Sequence, residues 1–562
     1  MHDSRPGLDR AHALVALSVL VGLLSIVFIL DYTGYPYEPF RFRLFSYFLR
    51  TQDLSGSWLL LGIVFCAALP VAHRPALVFV EALGRRPWAV ACATFVVLCL
   101  GALLVQHDHP LAQDEYLALF QSRVFAAGRL TGQFPPDLLD HLIPFWYRDR
   151  FVVASAATGA VASNYWPGFS AILAPFSLIG APWACNPLLA SLSLVLMARL
   201  AAQLTGALEA GGWAMLLALA SPQFTATAIT YYSMSAHLLL NLVFAWLLLD
   251  LNPRRLVGAG FVGSVALVLH QPVPHVLFAL PWLIWVARQP GARANLLWLA
   301  AGYAPLVALA GFGWALFLGS LQKASLWMAP YPDDGEFLHR AGNFAWLWQM
   351  KLGWAFGLPS PGLLWLRLGE WVRLWAWAVP GLPVLAAAGW WMARRRTPLL
   401  LLGVSFLSTA LGFLFVAYEQ GHGWGARYFH SAWSALPVLG ASALVLGRES
   451  AATASLRGTV AVAALLSLVL AGGLRGWQIH DYVGMTLERR PPVEPDVRQI
   501  AFIPADYQTY SADLVQNDPF LRDPVIYLLS RGKETDARLV RERYSGARQT
   551  VDEPRGQVWR VE

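Results

Sequence analysis

Charge is scarce in this chain. Lys, Arg, Asp and Glu make up only 13% of its 562 residues, about half the share in a soluble globular protein. That deficit excludes an ordinary water-facing surface. Cysteine is scarcer still: Cys66, Cys92, Cys99 and Cys185 all fall in apolar stretches, so neither a disulfide framework nor zinc-ligand spacing is visible. No basic run resembles a nucleic-acid surface. The net charge of +7 comes from Arg far more than Lys, which points to membrane topology and lipid phosphate instead. No phosphate loop, CxxC pair, nucleophile elbow, internal repeat or low-complexity linker occurs.

What the chain has is apolar surface, with 57% hydrophobic residues, 25 Trp and 30 Phe. About 20 apolar residues cross a bilayer. Windows of that kind lie near 11–30, 57–72, 88–106, 184–204, 210–226, 233–250, 256–272, 274–288, 294–318, 372–392, 398–417, 431–447 and 458–474. The expectation is an all-α polytopic membrane protein of about 13 spans. Ala11 to Leu30 follows a short Arg-containing tail, but Asp31-Tyr32-Thr33-Gly34-Tyr35 is no cleavage motif, so it reads as a retained span. Arg5, Arg10, Arg74, Arg85-Arg86, Arg254-Arg255, Arg288, Arg293, Arg394-Arg395-Arg396, Arg448 and Arg457 share one side of this topology, which is then the cytoplasmic one.

Four regions follow: residues 1–106 with three spans, a long loop at 107–183, a membrane core at 184–474 with a second loop at 319–371, and a C-terminal domain at 475–562. The long segments all fall outside the cytoplasm. Within the last region, Val525 to Leu529 reads as a strand and Lys533 to Tyr544 as a helix, giving a small α/β appendage.

Asp114-Glu115 stands just past the outer end of an apolar span. Acids at a bilayer boundary are costly unless paired or used. Asp114 to Gly128 has helical apolar spacing, closed by Gly128, and suits an interfacial amphipathic helix. Neighbours on a helix point about 100° apart, so one acid faces a cleft while the other caps or pairs. A carboxylate shielded from water has a raised pKa and accepts a proton from a hydroxyl. A capping pair on the helix dipole is the plainer reading.

Gln113-Asp114-Glu115-Tyr116, Phe120-Gln121-Ser122-Arg123 and Ala126-Ala127-Gly128-Arg129-Leu130 resemble the first extracytoplasmic loop of bacterial GT-C membrane glycosyltransferases. These are relatives of the protein O-mannosyltransferases and the lipid A aminoarabinose transferase. Tyr165-Trp166-Pro167-Gly168 stands where Tyr-Pro-Pro-Gly is usual. Asn186-Pro187-Leu188-Leu189-Ala190, Ser221-Pro222 with His237, and Gly425-Ala426-Arg427-Tyr428 extend the match over roughly 107–445.

The resemblance implies sugar transfer from a polyprenyl-phosphate donor by inverting displacement, at the outer face of a bacterial inner membrane. The acceptor is an envelope glycan, lipid or protein. By position, Asp114 is the general base and Glu115 orients it or helps hold a cation. Arg427 stabilises the phosphate leaving group; an interfacial Arg snorkelling to headgroups is the alternative. Tyr116, Arg123, Tyr165, Tyr428, His237, His270 and Lys351 complete the substrate-side set, with Lys323 and Arg340 beside Lys351 in the second loop. His270-Gln271-Pro272 replaces the usual Arg-Pro, so a protonated His270 would have to substitute. A divalent cation is left open, with Glu115 and His237 as its candidate ligands and His107-Asp108-His109 nearby. Trp346, Trp348, Trp354, Trp365, Trp371, Trp375 and Trp377 suit a sugar- or isoprenoid-facing wall or an aromatic belt. The rival classes are a lipid-sugar flippase or transporter and a non-catalytic scaffold. Transporters hold ionisable residues deep in their spans, where this chain shows few.

Overall fold

The computed structural model describes residues 10–32, 44–144, 147–323, 357–416, 419–447, 451–504 and 510–561. Among these, six helices are long and apolar enough to cross a membrane: His12–Asp31, Pro87–Leu104, Pro182–Thr205, Ala292–Leu321, Thr397–Phe415 and Thr453–Leu487. A seventh candidate, Leu44–Ala67 with Pro70–Arg85, bends by 73° at its break. The window near 57–72 therefore does not run straight: Pro70 has no backbone N–H to continue the helix. Glu209–Leu219, Met234–Leu247, Val273–Val286, Leu382–Met392 and Ala435–Val445 are shorter apolar helices. A short turn that contains Pro272 joins the helices Pro253–Leu267 and Val273–Val286.

Five helices position the site: α1 (Pro87–Leu104), α2 (Gln113–Ala126), α3 (Met234–Leu247), α4 (Pro361–Ala376) and α5 (Gly472–Leu487). The segment expected as an amphipathic interfacial helix is α2. It does not lie bare at an interface, because Glu115 to Ser122 and Val124 are all buried. The helix Gly168–Leu178 covers one side. The C-terminus of α2 closes with Gly128 at φ +70°, while Gly128 N–H donates to Phe125 O and Arg129 N–H to Val124 O. That is a Schellman closure, which a left-handed glycine permits.

Among the described residues, two small sheets stand outside the bundle. Strands β1 (Gly132–Gln133), β2 (Val152–Ala154) and β3 (Ala160–Ser163) form an antiparallel sheet in the order β1-β3-β2. In the C-terminal region, β4 (Gln499–Ile503), β5 (Val525–Leu529), β6 (Arg548–Glu553) and β7 (Gly556–Arg560) run in the order β5-β4-β7-β6. Only β4 and β5 are parallel. The expected strand and the helix Lys533–Arg543 both lie here. The preceding α5 continues to Leu487, and the first strand of this sheet starts at Gln499.

Tyr116, Leu117, Phe120 and Val124 of α2 share one apolar core with Ile500, Phe502, Leu528 and Trp559. Each such side chain contributes roughly 1.5–3 kcal/mol on burial. The C-terminal domain is thus fastened to the loop that carries Asp114.

The bundle is also less apolar inside than its hydropathy suggests. Asp53 lies 3.0 Å from Arg373 and 3.2 Å from Arg475, all fully buried. Trp377 Nε1 donates to Asp53 Oδ1 at 2.6 Å, and Arg367 pairs with Glu370 one turn away on α4. Asp53 and Arg475 lie just outside the expected windows at 57–72 and 458–474, and Arg373 at the edge of 372–392. Each carboxylate is matched to a guanidinium, as burial requires.

Candidate active site

The head of α2 separates the two acids. Ala112 precedes the helix in extended conformation, so Glu115 reaches back and accepts from Leu111 N–H at 3.0 Å. Its other oxygen accepts from Tyr231 N–H at 2.9 Å. Burial pushes the Glu115 carboxyl up to about 7, against the pull of those two donors. Glu115 is therefore the capping and anchoring acid, and both its oxygens are in use.

Asp114 points elsewhere. Its Oδ2 lies 2.9 Å from Arg427 Nη2, and the Tyr165 hydroxyl donates to Oδ1. Burial alone would raise this carboxyl; the Arg427 charge and the Tyr165 hydrogen bond outweigh it and hold Asp114 below the usual carboxylate range. The raised pKa expected for Asp114 is thus corrected: in the closed ion pair it belongs to Glu115 instead. Arg427, in turn, is held charged by the Tyr232 ring, Asp114 and Tyr428, which outweigh burial.

A glycine-rich turn aims Arg427. Gly423 and Gly425 have φ of +125° and +61°, and a Cβ on Gly425 would stand 2.0 Å from Gln223 Oε1. Only glycine fits there without displacing that amide. Gln223 Oε1 accepts from Ala426 N–H at 2.6 Å, and Gln420 Oε1 from Arg427 N–H at 3.0 Å. The guanidinium lies 4.5 Å over the Tyr232 ring and donates through Nη1 to His422 O at 3.2 Å. The Tyr232 hydroxyl donates to the same carbonyl at 2.9 Å. A planar cation fixed on an aromatic face and a carboxylate is well placed to meet a phosphate.

Of the other sequence candidates, Tyr165 and His270 come to the site: Tyr165 touches Asp114, and His270 stacks on it with centroids 3.7 Å apart. Burial pushes His270 down to about 4, so at neutral pH it is uncharged and does not replace a missing Arg. Tyr428 lies beside Arg427 but donates to Glu419 O at 3.0 Å. His237 on α3 is buried with both ring nitrogens unpaired among the described residues. Tyr116 faces away, its hydroxyl donating to Asn517 O at 2.8 Å. Arg123 lies two and a half turns further along α2.

Lys351, Arg340, Trp346, Trp348 and Trp354 fall outside the described residues. Trp375 and Trp377 are core residues rather than wall. His107 stacks on His480 of α5 at 4.5 Å, and Asp108 accepts from the Tyr231 hydroxyl. Among the described residues, no three His, Cys, Asp or Glu side chains converge as a metal site.

Sequence reasoning missed Tyr232, Gln223, Gln420 and His422. Tyr231-Tyr232 beside Ser221-Pro222 was the available signal, a polar aromatic pair between two apolar helices.

The fold is similar to that of a solved membrane protein, ArnT. ArnT from Cupriavidus metallidurans, solved with bound undecaprenyl phosphate, superposes with a TM-score of 0.50 at 14% identity, covering 84% of this chain and 98% of that one. The apo form of the same ArnT gives 0.47 at 14% identity, over 84% and 97%. No protein-family model matches this chain, and no curated protein matches its sequence.

Proposed function

We propose that this protein is a GT-C membrane glycosyltransferase that moves a sugar from a polyprenyl-phosphate donor to an extracytoplasmic acceptor. The observation that carries the reading is the Asp114–Arg427 pair, flanked by Tyr165 and Tyr232 at the head of α2. The undecaprenyl phosphate bound by ArnT, which shares the fold, supports a donor of that chemistry.

The reaction is a displacement at the anomeric carbon. The acceptor oxygen bonds to that carbon as the carbon–oxygen bond to phosphate breaks, and the electron pair leaves with the phosphate oxygen. Arg427 holds the developing charge, and the acceptor's proton passes to Asp114. In the resting pair Asp114 is a weak base. An arriving phosphate competes for Arg427, and an Asp114 deprived of its cation is pushed upward by its burial. Donor binding then creates the base that the transfer needs.

The buried cluster of Asp53, Arg373 and Arg475 is the feature that would favour a flippase. Its mutual pairing favours a structural role. Replacing Asp114 by Asn should lower transfer in proteoliposomes by about 10²–10⁴-fold, with polyprenyl-phosphate binding retained. Full transfer by Asp114→Asn would remove it as the base, and lipid flipping without transfer would turn the reading to transport.

A further inference from the structure

One carboxylate of the C-terminal domain stands directly behind the site. Asp513 lies in the short turn Ser511–Leu514 and is buried. Its Oδ1 accepts from the Tyr147 hydroxyl at 2.5 Å and from Gln113 Nε2 at 3.3 Å. Its Oδ2 lies 3.9 Å from His422 Nε2. Gln113 is the first residue of α2 and the neighbour of Asp114. His422 is the residue whose carbonyl holds both the Arg427 guanidinium and the Tyr232 hydroxyl. A single side chain therefore hydrogen-bonds one arm of the ion pair, through a residue 400 positions away in sequence, and faces the other at 3.9 Å, where His422 Nε2 has no hydrogen-bond partner among the described residues.

We infer that Asp513 is a positioning residue that holds Asp114 and Arg427 in register, so that the C-terminal domain is part of the site's geometry rather than an appendage. The inference rests on the role given above to that pair. Neighbouring contacts strap the same segment: Gln516 Nε2 donates to Pro110 O at 2.8 Å, and Asn517 N–H to the Tyr116 hydroxyl at 2.9 Å. These anchor α2 from outside, whereas Asp513 stands between α2 and the Arg427 turn.

The groups facing Asp513 are Tyr147 before β2, Gln113 and Asp114 on α2, and His422 on the glycine-rich turn. Tyr482 of α5 lies 3.3 Å from His422 Nδ1, and the Tyr510 ring 5.0 Å from the imidazole. Arg489 adds its charge near His422. Burial, and then the Arg427 charge, push His422 down to about 3, so it stays neutral. Burial pushes Asp513 up to about 7, against the hydrogen bonds from Tyr147 and Gln113. An ionised Asp513 accepts from Gln113 and keeps a second oxygen facing the unpartnered His422 Nε2; a protonated one gives up part of that acceptor capacity.

The test is hydrogen–deuterium exchange on the full-length protein in nanodiscs, comparing wild type with Asp513→Asn. Exchange should quicken by about tenfold, the equivalent of one buried hydrogen bond, in two remote peptides, 111–117 and 419–428. Quickening confined to 510–518 would overturn the inference. Gln113→Ala and His422→Asn serve if Asp513→Asn does not fold. Each should quicken its own arm and, through Asp513, the other as well, and an effect confined to its own arm refutes the link.

Transfer from a polyprenyl-phosphate sugar then reads the same register. Asp513→Asn should lower kcat by about tenfold with KM changed less than about twofold. An unchanged kcat would count against the inference. A wild type that moves no sugar would defeat the transferase assignment, while the exchange result would still decide the positioning role.

Discussion

Arg427→Gln tests the core of the site most directly. The Asp114 and Arg427 side chains are 21% and 10% exposed, so the pair is mostly shielded. Stripping one partner from a buried ion pair costs about 3–5 kcal/mol, and residual solvent contact brings the expected loss here to the low end, about 3 kcal/mol. The pH dependence has a definite sign. In the wild type, Arg427 helps hold the Asp114 carboxyl below its ordinary 3.8. The pair's stability is therefore present above pH 3.8 and lost as pH falls through the lower, folded value. Without Arg427, burial is left with weaker opposition, the folded carboxyl rises, and stability declines with rising pH. The gap between wild type and Arg427→Gln should therefore widen from acid to neutral pH. Equilibrium unfolding in bicelles, run as a cycle of Asp114→Asn, Arg427→Gln and the double variant, measures it. The double variant should cost less than the two singles together by about 2 kcal/mol. Additivity to within about 0.5 kcal/mol, or a gap indifferent to pH, would refute the reasoning.

Glu115→Gln leaves one of two buried backbone donors unpaired, because an amide has a single acceptor oxygen; thermal unfolding should register a loss of about 1–3 kcal/mol. The wild-type Glu115 carboxyl is raised from 4.5 to about 7, so its contribution is full below pH 4.5 and gone above about 7. Glu115→Gln should flatten that slope, and an unchanged slope would place the titration elsewhere. Asp53→Asn leaves Arg373 and Arg475 without their shared carboxylate, a loss of about 3–5 kcal/mol. The folded, monodisperse yield should drop sharply, and wild-type yield would show that the cluster is not structurally required.

Hydropathy made the membrane class legible because apolar runs of span length have few other uses. It blurred the helices themselves: Pro70 bends one window, and Glu209–Leu219 and Met234–Leu247 are too short to be delimited by an average over about 20 residues. Asp114 and Arg427 were legible as polar residues in apolar surroundings. Their pairing was not, since nothing in local spacing says that residue 114 meets residue 427. Asp53, Arg373 and Arg475 escaped for a related reason. Asp53 and Arg475 lie just outside the apolar windows and Arg373 at the edge of one, each near other polar residues, so no local pattern singles them out. Asp513 was least legible, an ordinary acid in a polar segment whose importance comes wholly from the tertiary contact.

The joint core of α2 with β4, β5 and β7 has a consequence for synthesis. Phe120 and Val124 leave the ribosome long before Phe502, Leu528 and Trp559 exist to cover them. Until those strands arrive, the segment bearing Asp114 waits as a half-covered helix beside the translocon. Maturation is thus timed to the end of translation, and a chain interrupted upstream of β4 would be inserted in the lipid yet lack a finished centre.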